Sequence, residues 1–123
     1  MTIKLSPHFT AEELACKCCG YLNVGGRLAK LINALEILRS QVHVPVRIVS
    51  GYRCPTHNRA VGGAGGSRHL TGEAADIHVE GYAPAQLAQI VRDYCHEVRG
   101  IGVGATKFHL DVREGSLVEW KYS

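Results

Sequence analysis

His69 and Asp76 stand seven positions apart in the stretch SRHLTGEAADIHVEG, with Gly72, Ala74 and Ala75 between them. Imidazole and carboxylate are costly to bury unless they are paired or hold a metal ion. The small residues leave space around an ion and let the chain come close. A second pair, His109 and Asp111, lies in KFHLDVR near the other end of the chain. Two imidazoles and one carboxylate drawn from these residues suit Zn2+ in a catalytic site, where a fourth position stays open for water.

Strands must bring these residues together. EAADIHV, residues 73 to 79, alternates as a strand, with Ala75, Ile77 and Val79 on one face and Ala74, Asp76 and His78 on the other. GIGVG and KFHLDVR read as two closing strands around a turn at Gly104 and Ala105. In the second, Phe108, Leu110 and Val112 face one way, and His109, Asp111 and Arg113 face the other. VRIVS, residues 46 to 50, is a further β-branched run.

Helices must cover the apolar faces. Thr10 and Glu13 have capping-box spacing, which predicts a short helix starting near Ala11. From Arg27 to about Val42, Leu28, Leu31, Ile32, Leu35 and Leu38 recur at helical period, and Pro45 follows as a stop. APAQLAQIVRDYCHEV predicts a second long helix, with Pro84 near its start and Leu87, Ile90, Val91, Tyr94 and Val98 facing inward. Between these lies GYRCPTHNRAVGGAGGS, a glycine-rich stretch of the length that usually serves function. The Gly25-Gly26 pair marks another turn. The order predicts an α+β fold with a small, mostly antiparallel sheet packed with helices. At 123 residues the chain is expected to be one domain, 1–123.

Composition narrows the partners. A net charge of +3 is mild, and the basic residues are scattered without interleaved aromatics, so no nucleic-acid partner is expected. No apolar run approaches the roughly 20 residues of a membrane span, so no stable membrane insertion is expected. MTIKLSPHFTAEEL lacks the apolar stretch of a signal peptide, which predicts synthesis in the cytoplasm. Five cysteines without a secretion signal argue against a disulfide framework. CKCCG is dense enough to suggest a metal knuckle. Read as C-x-C-C with no matching second pair, it predicts buried or half-exposed thiols instead.

The motifs SGYRCPTHN, SRHLTGEAADI and KFHLDVR, in that order, resemble the zinc D-Ala-D-Ala carboxypeptidases and murein endopeptidases of peptidase family M15. The resemblance covers roughly residues 5 to 113 and is closest to the compact branch found in phage genomes. It implies a hedgehog/DD-peptidase-like fold and one catalytic Zn2+ held by His69, Asp76 and His109. It implies that Arg53 stabilises the scissile carbonyl and that Ser67 helps hold substrate. Many relatives carry an acidic base three residues before the last zinc histidine; here that residue is Thr106. Asp111 is the expected substitute, on the same strand face as His109 with Cα atoms about 6.6–6.8 Å apart. The alternative role for Asp111 is to orient a ligand histidine. His78 is a rival third ligand, because it shares a face with Asp76. His57 is expected to be an exposed polar residue, with a place near the loop in contact with substrate as the alternative, and His8, His43 and His96 are expected to face solvent. Trp120 is expected to be a packing anchor, with a substrate platform as the alternative.

The implied reaction is hydrolysis of a peptide bond in bacterial peptidoglycan, by a monomer that reaches the periplasm or cell wall after release, as in phage lysis. The competing expectation is a non-catalytic zinc module of the same fold that binds cell-wall peptide or a protein partner.

Overall fold

The structure is a computed structural model that describes residues 3–25, 27–63 and 67–122. The elements are α1 (Ala11–Leu14), α2 (Leu28–Val42), β1 (Val46–Ser50), α3 (Pro55–Ala60), a 3-10 turn (Arg68–Thr71), β2 (Ala74–Val79), α4 (Pro84–Tyr94), β3 (Gly100–Val103), β4 (Phe108–Asp111) and β5 (Val118–Lys121). The five strands form one sheet in the order β1-β2-β4-β3-β5. Only the β3–β5 pairing is parallel. The fold is therefore α+β with a mostly antiparallel sheet, as the pattern predicts. Among the described residues no helix is long and apolar enough to cross a membrane.

One face of the sheet is greasy and the other polar. Ala75, Ile77, Leu110, Phe108 and Ile101 join Leu31, Leu35 and Leu38 of α2 and Leu87 and Val91 of α4 in the core. The β alternation that buries these residues forces Asp76, His109 and Asp111 onto the opposite face. The capping box forms at α1: the Glu13 amide donates to Thr10 Oγ1 at 3.2 Å and the Thr10 amide to Glu13 Oε1 at 2.9 Å. α2 ends where His43 takes a left-handed conformation, φ 58°.

Four elements differ from the sequence expectation. α4 stops at Tyr94, whose ring is exposed; Val98 reaches the core from a turn closed by its own amide on the Cys95 carbonyl at 3.0 Å. The glycine-rich stretch contains α3, begun by Pro55 behind an extended Cys54. The 3-10 turn precedes β2. β5 is a strand the pattern does not announce, because it is four residues long and mostly exposed. Residues 64–66 of the glycine run, and Gly26 of the expected Gly25-Gly26 turn, lie outside the described residues.

Candidate metal centre

Register builds the site. Ser50, Asp76, His109, Gly102 and Trp120 are successive partners across all five strands. Direct partners project from the same face, so the row sets Asp76 beside His109 and Trp120 two strands further on, across Gly102. Gly102 makes this possible: a Cβ there would lie 2.6 Å from Trp120 Nε1. With that space empty, the Trp120 ring lies 5.2 Å from the His109 ring. The next row holds Asp111 between Ala74 and Gly100. Any side chain at position 100 would overlap the Asp111 carboxylate. Gly100→Ala should therefore displace Asp111 and lower stability by about 1–3 kcal/mol. Urea unfolding measures the first effect, and zinc affinity shows whether His109 has lost its support.

His69 enters from the 3-10 turn. Ser67 accepts the His69 amide at 3.3 Å, and Gly72, at φ 73°, turns the chain from His69 into β2. His69 Nδ1 lies 2.7 Å from the Gly51 carbonyl. A carbonyl only accepts, so Nδ1 carries the proton and Nε2 presents a lone pair. On the other side of the centre, His109 Nε2 lies 2.7 Å from Asp111 Oδ2. The same logic puts the proton of His109 on Nε2 and leaves Nδ1 as the donor atom.

Both lone pairs meet one oxygen. His69 Nε2 is 3.2 Å and His109 Nδ1 is 3.0 Å from Asp76 Oδ1. All three residues are buried, and their donor atoms lie within 4.8 Å of one another. Three electron-pair donors pointed at one another repel unless a cation lies between them. Tetrahedral Zn2+ with nitrogen and oxygen ligands separates its donors by about 3.3 Å, close to the spacing here. The residues therefore fit a zinc ion. With no ion and a proton on each inward nitrogen instead, burial pushes the Asp76 carboxyl up, but hydrogen bonds from His109 and His69, and their charge, hold it well below the usual carboxylate range. The other oxygen, Oδ2, accepts from Arg53 Nη2 at 3.2 Å.

Asp111 is fully buried and has no spare oxygen. Oδ2 takes His109 Nε2 and Arg113 Nη2, the latter at 2.8 Å, and Oδ1 takes Arg113 Nε at 2.8 Å and the Arg113 amide at 3.3 Å. Burial pushes its carboxyl up, and the bonds from Arg113 and His109 hold it well below the usual range. It stands at the His109 nitrogen turned away from Asp76. Arg53 is buried too, with Nη1 on Asn58 and Nε on Ser50.

Two clefts of about 590 and 360 Å³ flank the centre and share Arg53 and Lys107. The smaller is lined by Ser67, His69 and His109, with Trp120 and Tyr122 as an aromatic wall. Trp120 thus stands beside the site, where the sequence favoured a packing role at the C-terminus. The larger cleft takes in His57, His78 and Thr106. His78 is not part of the buried trio; it is half-exposed and pairs with Glu80 at 3.3 Å. His8, His43 and His96 are all exposed, and His8 pairs with Glu36 at 2.7 Å. Asp76 lines the larger cleft and is the sole carboxylate among the described residues that line either one.

A buried pair of imidazoles and one carboxylate on the polar face of an α+β sheet makes a group that could hold a metal ion. The family model for Peptidase M15 matches residues 7–112, and the chain belongs to that family. It is also 35% identical over 77 residues to the zinc D-Ala-D-Ala carboxypeptidase of Streptomyces albus G. That alignment covers 62% of this chain and 30% of the relative.

Proposed function

We propose that the protein is a zinc-dependent peptidase that hydrolyses a peptide bond in peptidoglycan stem peptides or cross-links. The observation that carries this reading is the convergence of His69 Nε2, Asp76 Oδ1 and His109 Nδ1, three buried donors. A zinc ion bound there supplies a Lewis acid for a scissile carbonyl and a means of making water nucleophilic near neutral pH. The chain's own residues supply the rest. Gly51 and Asp111 fix the two imidazoles in the tautomers that point inward. Arg53 holds Asp76 and brings fixed positive charge to the place where both clefts meet, suited to a developing oxyanion. Ser67 shapes the smaller cleft by anchoring the turn that carries His69. Arg68 and Lys107 add positive charge to its rim, which suits the carboxylates of a stem peptide. The contacts of Asp111 support a positioning role toward His109 rather than acceptance of the water's proton. The resemblance to phage-type members extends the proposal to wall cleavage during lysis.

One observation favours a second reading. With Thr106 where relatives carry an acid, and Asp111 fully engaged, the clefts offer no free carboxylate as base. That suits a zinc module that binds wall peptide without cutting it.

Digestion of purified peptidoglycan by the zinc-loaded protein, with and without a chelator, decides between them. The peptidase reading expects new peptide termini by mass spectrometry, lost on chelation and restored by zinc. Wall material that is bound yet chemically intact would leave only the second reading standing.

A further inference from the structure

The cysteines left out of the central site form a cluster of their own. Cys16 and Cys19 are three positions apart and Gly20 follows them, so the segment CKCCG contains a C-x-x-C pair that its reading as C-x-C-C conceals. The structure supplies the missing partner. Cys54 comes from 38 positions beyond Cys16, and the sulfurs of Cys16, Cys19 and Cys54 all lie within 4.8 Å of one another. All five cysteines are free thiols. A disulfide between two of the three would strand the third, whereas tetrahedral zinc with four sulfurs places neighbouring sulfurs about 3.8 Å apart.

The backbone is already folded around these sulfurs. Gly20, at φ 75°, donates its amide to the Cys16 carbonyl at 2.8 Å, and the Cys16 amide donates to the Tyr21 carbonyl at 2.8 Å. This closes residues 16–21 into a knuckle. Amides then aim at sulfur: Cys54 N–H donates to Cys16 Sγ at 3.4 Å, and His57 N–H to Cys54 Sγ at 3.4 Å. Amides aimed at sulfur favour the thiolate, which is the form that ligates metal. Cys18 is exposed and lies outside that trio, but it is a further thiol next to Cys19 in the sequence. Tyr21 and Tyr52 pack edge to face, ring centroids 5.6 Å apart, beside the cluster.

We propose that Cys16, Cys19 and Cys54, with Cys18 as fourth donor, bind a structural Zn2+ separate from the central ion. The site clamps the segment after α1 to the loop that carries Arg53. Tyr52 N–H already joins the two at the Leu14 carbonyl, 2.8 Å away, and Arg53 follows directly.

The test uses the full chain purified under reducing conditions. Metal analysis should find two zinc ions per chain. Cobalt substitution should give thiolate-to-metal charge-transfer bands in the near ultraviolet. Asp76→Ala should retain one ion and those bands, so the result stands apart from any failure of the central site. Cys19→Ser should lose one ion and the bands, and Cys18→Ser should weaken the ion at least tenfold. A reduced wild type without thiolate–cobalt bands, or with a Cys16–Cys54 disulfide in its peptide map, overturns the site. Cys18→Ser with unchanged affinity removes Cys18 from it. The wild-type cobalt spectrum decides even if Cys19→Ser does not fold.

Discussion

Asp76→Ala is expected to empty the central site and reduce peptide hydrolysis to the assay background. Asp76 is the hub of the buried cluster. Its Oδ1 is the shared neighbour of both imidazoles, and its Oδ2 holds Arg53. Removing it leaves a buried guanidinium without its counter-charge and takes one of three donor atoms from the centre. Breaking a buried pair from one side lowers stability by about 3–5 kcal/mol. Urea denaturation should show that loss, and zinc analysis the missing ion. Asp76→Asn separates charge from shape, since it fills the same volume. The carboxyl is depressed in the folded protein, so its stabilisation is complete above the unfolded value and is lost as pH falls toward the folded one. Metal-free wild type should thus lose more stability than Asp76→Asn on acidification from about pH 5 to pH 2. Parallel acid profiles for the two proteins, or full turnover by Asp76→Ala, would refute this role.

Asp111→Asn is expected to weaken zinc binding about 10–100-fold while leaving a protein that works again when zinc is raised. The reason lies in which nitrogen it holds. Asp111 meets His109 Nε2 and Asp76 meets Nδ1, so Asp111 acts on the ring from outside the trio. An amide keeps the shape and one acceptor but loses the charge that fixes the tautomer and answers Arg113. A general base behaves differently: its removal lowers kcat by about 10²–10⁴ and added metal does not restore it. Turnover measured across a zinc titration distinguishes the two. A deep loss of kcat that persists at saturating zinc would return Asp111 to the proton-transfer role.

The polar faces that carry the central cluster are legible in the sequence because alternation is local, and the family resemblance singles out His69, Asp76 and His109 among them. Phe108, Leu110 and Val112 must go inward, which turns His109 and Asp111 outward, and EAADIHV does the same for Asp76. Register was not legible. Nothing in the local pattern says that Asp76 faces His109 rather than Asp111, and that one step separates a place inside the buried trio from a place behind it. Trp120 eluded the reading for a related reason. Its strand is exposed and pairs in parallel with β3, so its only signal is a contact made across the sheet. Gly100 and Gly102 look like flexible turn residues in the sequence. Their use is steric, and it appears only once Asp111 and Trp120 lie over them. α3 did carry a readable signal, Pro55 directly behind an N-cap position, but the glycines after it dominated the stretch. Cys54 carries no local signal, because folding alone brings it to Cys16 and Cys19.

The strand order β1-β2-β4-β3-β5 has a consequence for biosynthesis. β2 leaves the ribosome before the segment that will lie beside it, since α4 and β3 are made in between. At about 5–20 residues per second, the wait from Val79 to Phe108 is about 1.5–6 s. For that interval one hydrogen-bonding edge of β2 has no neighbour and is open to wrong pairing. His69 and Asp76 are made early and His109 late, so a nascent chain cannot grip an ion with all three until its middle strand slots home.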